Sequence, residues 1–147
     1  MIKSYSNILQ SLTKLQKQAP ELAIKACKPH RNLIEDLNTD EQMQAQGQRA
    51  DGQPIRPAYT AFTKAIKQQK GQPTNRVTLR DTGDFHRSVF VTFRKTEFEL
   101  QASDVKTPSL TRKYGREVLG LTQDSIDKVA ASAKQDMQRL ARKRVVG

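Results

Sequence analysis

The chain has 147 residues, and its 26 lysines and arginines against 15 acidic residues give a net charge of +11. With 35% hydrophobic residues and no tryptophan, it can cover one modest core, which excludes a second enzyme-sized domain. The charge predicts attraction to phosphate polymers or to acidic protein surfaces, and it does not choose between them.

The first element is a short amphipathic helix, predicted from apolar residues at helical spacing and ended by Pro20. Its apolar face consists of Ile8, Leu9, Leu12 and Leu15. The N-terminus carries no cleavage signal, and no window approaches the ~18 apolar residues that span a bilayer. We therefore expect neither targeting nor membrane insertion, and the cytoplasm is the default compartment.

A second helical pattern runs from Glu21 to Leu37, and Pro29 predicts a kink or break within it. Residues 38–53 are polar and glutamine-rich, which predicts a loop or a frayed helix end that serves as a linker. We accordingly divide the chain into a helical arm with a polar linker (residues 1–50) and a core domain (residues 51–147).

The next stretch, PIRPAYTAFTKAIKQQKG, predicts a short helix that stops at Gly71 and Pro73. Its apolar face would hold Tyr59, Phe62, Ala65 and Ile66. A ridge of positive charge would lie elsewhere on the helix, formed by Lys64, Lys67 and Lys70. Two interpretations of this ridge stay open: it contacts phosphates or acidic groups, or it is the solvated face of the helix.

Two further patterns predict β-structure. Val77 and Leu79 indicate a short strand at about residues 76–80, and alternating apolar residues predict a hairpin at about residues 88–102 with its turn at Arg94 to Thr96. The segment from Ser103 to Leu121 contains Pro108, Gly115 and Gly120, which predicts a long loop.

The last element is a helix over residues 122–144, with Thr122 as N-cap and cations at its C-terminal end. Its apolar stripe consists of Ile126, Val129, Ala130, Ala133, Met137, Leu140 and Ala141. The whole pattern predicts an α+β fold in which a small antiparallel sheet packs on this long helix, with further helices at the N-terminus.

Asp81, Thr82 and Gly83 interrupt the predicted strands and could mark an acidic active site. An aspartic protease needs a second carboxylate in an apolar cradle, and a phosphate loop needs more glycines or a Gly-Lys-Ser/Thr group. Neither is present. We therefore predict a turn in which Gly83 has a positive φ and Thr82 caps one helical turn that buries Phe85 before Ser88.

The remaining chemically interesting side chains are few. His30 and His86 are the two histidines, and we expect surface or capping roles for both. Cys27 lies beside Lys25 and Lys28, and their charges could lower the pKa of its thiol and make it reactive. We expect instead that it is a small apolar residue of the helix. A single cysteine excludes an intramolecular disulfide and fits a reducing compartment. No acid, base and nucleophile come together in the pattern, so we expect no catalytic residue, metal site or cofactor.

The order of three segments gives the chain a resemblance to a known family. The segments are G-Q-P-I-R-P-A-Y-T-A-F-T-K-A-I-K from Gly52, L-R-D-T-G-D-F-H-R-S-V from Leu79, and Y-G-R-E-V-L-G-L-T-Q-D from Tyr114. This order resembles the neck, tail-completion and virion-morphogenesis proteins of tailed bacteriophages over about residues 51–144. Ile55 stands where the family more commonly has an aromatic residue, and Arg112 and Lys113 precede the third segment.

The resemblance implies a non-enzymatic virion protein at the head-tail connector or tail end, assembled in the host cytoplasm as a ring between the portal side and the tail tube. Other neck, portal-side or tail proteins would be its partners. The positions that match the family motifs are Gly52, Pro57, Tyr59, Thr63, Lys64, Leu79, Thr82, Gly83, Phe85, Ser88, Tyr114, Gly115, Leu119 and Gly120.

The basic surplus suggests residues that face an acidic partner or passing DNA: Lys64, Lys67, Lys70, Arg112 and Lys113. The hairpin turn, the long loop and the polar arm before Gly52 would reach neighbouring subunits. A basic protein that binds nucleic acid without sequence preference is the alternative function, although the low aromatic content counts against it.

Overall fold

The computed structural model describes residues 5–146, and side chains from residue 10 to residue 144 except residues 11 and 15. The elements of the first half are α1 (Tyr5–Cys27), a 3₁₀ turn (Lys28–His30), α2 (Arg31–Asp36), a π-helix (Leu37–Gln46) and α3 (Ala61–Gln69). Those of the second half are α4 (Asp84–Arg87), β1 (Val89–Phe93), β2 (Phe98–Ala102), α5 (Thr107–Tyr114), a second 3₁₀ turn (Arg116–Val118) and α6 (Gln123–Val146).

The α+β fold is confirmed, with a long C-terminal helix and an antiparallel pair of strands. Val91 of β1 lies opposite Leu100 of β2, and Val89 lies opposite Ala102. The inner face of this hairpin forms one hydrophobic cluster with residues of α2 and with Val129 of α6. Thr122 caps α6 as predicted, because its Oγ1 accepts a hydrogen bond from the Ser125 amide at 3.2 Å.

The N-terminal helix differs from the prediction at its end. α1 continues through Pro20 to Cys27, so the predicted stop at Pro20 is wrong, whereas the break at Pro29 is confirmed by the 3₁₀ turn. Pro20 is exposed, and buried side chains follow it along a helix that packs beside α6, which compensates for the missing amide. Of the predicted apolar face, Leu12 is exposed; Ile8, Leu9 and Leu15 lie outside the described side chains.

The polar segment predicted as a loop or a frayed helix end is helical as far as Gln46 and buries several of its side chains. Residues 37–46 form the π-helix, and Asn38, Gln42 and Met43 within it are fully buried. Gly47, with φ +62°, ends it. Both hydrophobic clusters combine residues from before and after residue 50, so the first fifty residues contribute to the core.

The third strand predicted at residues 76–80 is also absent from the sheet, which has two strands in the described residues. Leu79 has φ 55°, outside the β region, so the chain turns there. At Thr78, side chains and not a neighbouring strand satisfy the backbone hydrogen bonds. The Thr78 amide donates to the Tyr59 hydroxyl at 2.9 Å, and its carbonyl accepts from His86 Nε2 at 2.7 Å.

The predicted long loop before α6 contains a helix instead. Pro108 lies in the first turn of α5, where its missing amide costs no hydrogen bond, and Gly115, with φ +93°, follows its last residue. Both residues had indicated a loop because proline and glycine break helix interiors, yet here they mark helix ends. No helix among the described residues is long and apolar enough to cross a membrane.

Candidate interaction surfaces

The Asp-Thr-Gly segment forms the predicted turn. Thr82 Oγ1 accepts a hydrogen bond from the Asp84 amide at 3.3 Å, Gly83 has φ 90°, and α4 buries Phe85. The predicted cap is wrong in one detail, because Gly83 and not Thr82 is the N-cap of α4. A hydrogen bond from Lys70 holds the pKa of Asp81 below its usual value, and bonds from Thr82 and Arg87 do the same for Asp84. Each carboxylate thus has its own local partner.

No group of three or more His, Cys, Asp or Glu side chains is placed to hold a metal ion in the part of the chain that the structure describes. Asp81 instead forms an ion pair with Lys70 at 2.7 Å, and Asp84 forms one with Arg87. Each acid thus forms an ion pair with a cation of its own, whereas the two carboxylates of a catalytic dyad lie against each other and share a proton.

The three motif segments meet in one hydrophobic cluster. Leu79, Phe85 and Tyr114 are buried in it, and Tyr59 and Leu119 pack against it. Ser88 donates its hydroxyl hydrogen to the Phe85 carbonyl at 2.8 Å. Segments that are far apart in sequence therefore share one packing unit.

The remaining motif positions lie at turns and helix ends. Thr63 donates its amide to the Thr60 cap of α3, Gly52 lies at φ +80°, and Pro57 is exposed. Gly120 faces the π-helix: its carbonyl accepts from Asn38 Nδ2 at 2.9 Å and from Gln42 Nε2 at 2.7 Å.

His86 differs from its predicted role, whereas Cys27 has the expected one. His86 is buried, and burial lowers the pKa of its imidazole; its Nδ1 has no hydrogen-bond partner among the described residues. A surface or capping role is therefore wrong for His86. Burial raises the pKa of the Cys27 thiol, which contradicts the activated-thiol interpretation and leaves Cys27 as a residue packed at the edge of the core.

His30 connects the 3₁₀ turn after α1 to α6. Its Nε2 donates to Asp136 Oδ2 at 2.8 Å, and this bond is the main reason why the pKa of Asp136 lies below its usual value. Both side chains are partly exposed, and the pair links the 3₁₀ turn to α6 near the surface of the molecule.

The predicted face of α3 is inverted. Phe62 is 75% exposed and Ile66 38% exposed, whereas Lys67 is only 8% exposed. The Lys67 ammonium donates to the Arg80 carbonyl at 3.1 Å and lies 4.8 Å from the centre of the Tyr59 ring. The core therefore accepts the lysine because its charge is satisfied there, and the two apolar side chains are left outside.

The predicted lysine ridge consequently does not form as a continuous exposed surface. Lys67 is buried, Lys70 is paired with Asp81, and Lys113 lies over the Tyr114 ring at 5.2 Å. Lys64, Lys70, Arg112 and Lys113 are exposed. Contact of these cations with DNA or an acidic partner stays a prediction.

An open groove of about 550 Å³ lies beside α3. Three cations line it, Arg56, Lys64 and Arg76, and no carboxylate does. The other lining residues are Gln46, Gly47, Pro54, Ile55, Ala58, Tyr59, Thr74, Asn75 and Val77. We call this site the basic groove. Sequence patterns singled out Lys64 but missed both arginines, because they belong to irregular segments that meet only in the folded chain.

Comparison of the chain with protein-family models, with curated proteins and with solved structures gives no match. The molecule is an α+β protein whose exposed features are an apolar helix face and a basic groove.

Proposed function

We propose that the chain is a structural protein of a tailed-bacteriophage virion, which forms part of the neck or head-tail connector, or completes the tail, by ring-like oligomerisation between the portal side and the tail tube. The observation that carries the proposal is the outward face of α3. Phe62 and Ile66 lie one helical turn apart and both are exposed. Exposed apolar side chains that lie together mark surfaces that a partner covers.

The motif segments support the particular class of assembly. The resemblance rests on three segments in a fixed order, and their residues Tyr59, Leu79, Phe85 and Tyr114 occupy one cluster. Motif segments that pack against each other have a structural reason to occur in one chain. Segments that matched the family motifs by chance would not be expected to contact each other in the fold. Val105, which is 92% exposed in the turn before α5, and the hairpin turn at Arg94 are further protruding features for contact with neighbours.

The direct test is the composition of purified particles. Mass spectrometry of virions from the phage that encodes the chain should detect it in several copies per particle, and cryo-electron microscopy should place it between the capsid portal and the tail or at the tail end. Deletion of the gene should leave heads and tails unjoined or tails incomplete. A chain that is absent from purified particles would refute the proposal.

Complementation of the deletion tests the surface that carries the argument. Phe62→Ser removes the exposed aromatic side chain of α3 and should fail to restore infectious particles, while the variant protein stays folded. Ile126→Ser is the matched control, since Ile126 is an exposed apolar residue of α6 at 42% exposure. Equal restoration by both variants would show that the face of α3 is not the contact surface.

Binding of nucleic acid without sequence preference is the second candidate function. The C-terminal turns of α6 favour it, because they expose Arg139, Arg142, Lys143 and Arg144, of which Arg139 pairs with Asp136. A gel-shift assay with duplex DNA at increasing salt should then show binding that falls steeply with ionic strength. Reversal of Arg142 and Lys143 to glutamate should weaken it far more than reversal of two cations elsewhere.

A further inference from the structure

The basic groove holds its cations in two different ways. Arg76 is anchored: its Nε donates to the Gln44 carbonyl at 2.8 Å and its Nη1 to Asn75 Oδ1 at 2.8 Å. Arg56 and Lys64 are exposed, and their side chains form no hydrogen bond or ion pair with the residues that the structure describes. One cation is thus held in place and two are free to bind an anionic group.

The backbone around the groove is shaped by a glycine. Gly47 has φ +62°, and a Cβ there would lie 2.8 Å from the Cβ of Arg76 and 3.1 Å from the carbonyl oxygen of Val77. Only glycine allows this approach, which brings the segment after the π-helix against the segment that carries Arg76. The backbone fold therefore fixes the position of the Arg76 guanidinium in the groove.

The apolar part of the groove is formed by Pro54, Ala58 and the ring of Tyr59, and Thr74 adds a polar group that bonds to none of the described residues. A volume of about 550 Å³ lies within the ~300–1,000 Å³ typical of ligand clefts. A groove lined by apolar residues and three cations, with no competing carboxylate, fits a ligand that has both apolar groups and negative charge.

We propose that the basic groove binds a short acidic peptide segment of a partner protein, with carboxylate side chains at Arg56, Lys64 and Arg76 and apolar side chains against Pro54 and Ala58. The inference rests on the proposed function only for the identity of the partner, which would be another virion protein. The chemistry of the groove does not depend on it. Charge complementarity of this kind selects the partner and accelerates association.

Two observations favour a peptide over nucleic acid. Single-stranded nucleic acid binds through aromatic rings on which bases stack. Tyr59 is the one aromatic residue of the groove, and its ring already contacts the Lys67 ammonium while its hydroxyl accepts from the Thr78 amide. The three cations also share the groove with apolar residues, which contacts with a phosphate backbone do not require.

Fluorescence anisotropy with a short labelled peptide of alternating glutamate and valine tests the proposal on the full chain at low ionic strength. The double variant Arg56→Glu, Lys64→Glu reverses the two free cations and leaves the anchored Arg76 intact. The control variant Arg142→Glu, Lys143→Glu changes the net charge by the same amount on exposed residues of α6. A peptide of alternating lysine and valine controls for apolar binding, and labelled oligothymidine tests nucleic acid.

The glutamate peptide should bind the wild-type chain, and the groove variant should bind it at least about tenfold more weakly, while the control variant loses much less. Amide NMR shifts should change at Thr74 and Val77 on binding. The proposal is overturned if the glutamate peptide does not bind, if both variants lose affinity equally, or if oligothymidine alone shows the groove-dependent loss. None of these results bears on whether the chain is found in virions, so the two proposals can fail separately.

Discussion

Two regions of the molecule hold polar side chains in opposite environments. One is the junction where the π-helix contacts residues 120–122 at the start of α6, and its polar side chains are buried. The other is the basic groove, two of whose cations face solvent. In the junction, Gln42 is fully buried; its Nε2 donates to the Gly120 carbonyl at 2.7 Å and its Oε1 accepts from the Thr122 amide at 2.8 Å. In the groove, Arg56 and Lys64 face solvent without partners among the described residues.

The difference indicates what each region contributes. A buried polar group with all its hydrogen bonds adds stability and fixes one arrangement, and it is costly to remove because its partners remain buried. An exposed cation without a partner contributes almost nothing to folding and remains available for binding. Substitutions in the junction should therefore affect the free energy of unfolding, and substitutions in the groove should affect binding.

The largest effect is expected for Gln42→Ala. Truncation would leave the Thr122 amide and the Gly120 carbonyl without these bonds and would open a cavity, so the free energy of unfolding should fall by about 3 kcal/mol. Urea denaturation followed by circular dichroism measures it. Gln138→Ala, on the exposed side of α6, is the matched control and should change stability by less than about 0.5 kcal/mol. A similar small change for both would contradict the structural role of the junction.

A somewhat smaller loss is expected for Gly120→Ala in the same junction. The added Cβ would lie 2.9 Å from the Cβ of Ala50. Either the segment that carries Ala50 or the junction must therefore shift, at a cost of about 2 kcal/mol. Ala50→Gly removes the other atom of the clash. In a double-mutant cycle, the second substitution should therefore recover part of the stability lost by the first. Purely additive losses would mean that the two residues are not in contact.

Lys67 and Lys64 extend the comparison to a single helix. Lys67→Ala removes a buried ammonium that bonds the Arg80 carbonyl and Gln72 Oε1, and it should lower the free energy of unfolding by about 1–2 kcal/mol. Lys64→Ala, three residues earlier and exposed, should change it by less than about 0.5 kcal/mol. Equal losses would contradict the inverted orientation of α3, and they are measurable by the same denaturation experiment.

The same contrast explains which parts of the fold could be predicted from sequence. Local signals determine α6, the hairpin and the turn at Gly83: a threonine cap, strict alternation, and a glycine beside side chains that bond nearby amides. Each signal lies within a few residues of the structure that it specifies. These elements were therefore predicted with nearly correct bounds.

The elements that were missed depend on partners that are distant in sequence. The π-helix looks too polar to be buried until Gln42 meets the backbone of residues 120–122. Residues 76–80 look like a strand until Tyr59 and His86 bond the backbone of Thr78. Lys67 looks exposed until the Arg80 carbonyl is beside it. The basic groove was missed for the same reason, since Arg56 and Arg76 come from separate segments.

His86 allows the sharpest test of the buried region, because histidine is the side chain that ordinarily changes charge between pH 5 and pH 8. Its Nε2 donates to the Thr78 carbonyl, while Nδ1 is buried without a partner among the described residues, so protonation would bury an unsatisfied charge. Burial is the main reason why the pKa of His86 lies below its ordinary value of 6.5, and the charge of Arg80 adds to it. In the unfolded chain the imidazole therefore takes up a proton at higher pH than in the folded protein.

It follows that the stability contributed by neutral His86 is fully present above pH 6.5 and is lost as the pH falls below that value. The exposed acids with lowered pKa, such as Asp81, lose their contribution only below pH 3.8, outside this window. Urea denaturation from about pH 7.5 to pH 5 should show a falling free energy of unfolding, with a smaller slope for His86→Gln, which keeps a donor for Thr78 and cannot take up the proton. Identical slopes would mean that the folded protein accommodates a charged His86 without cost.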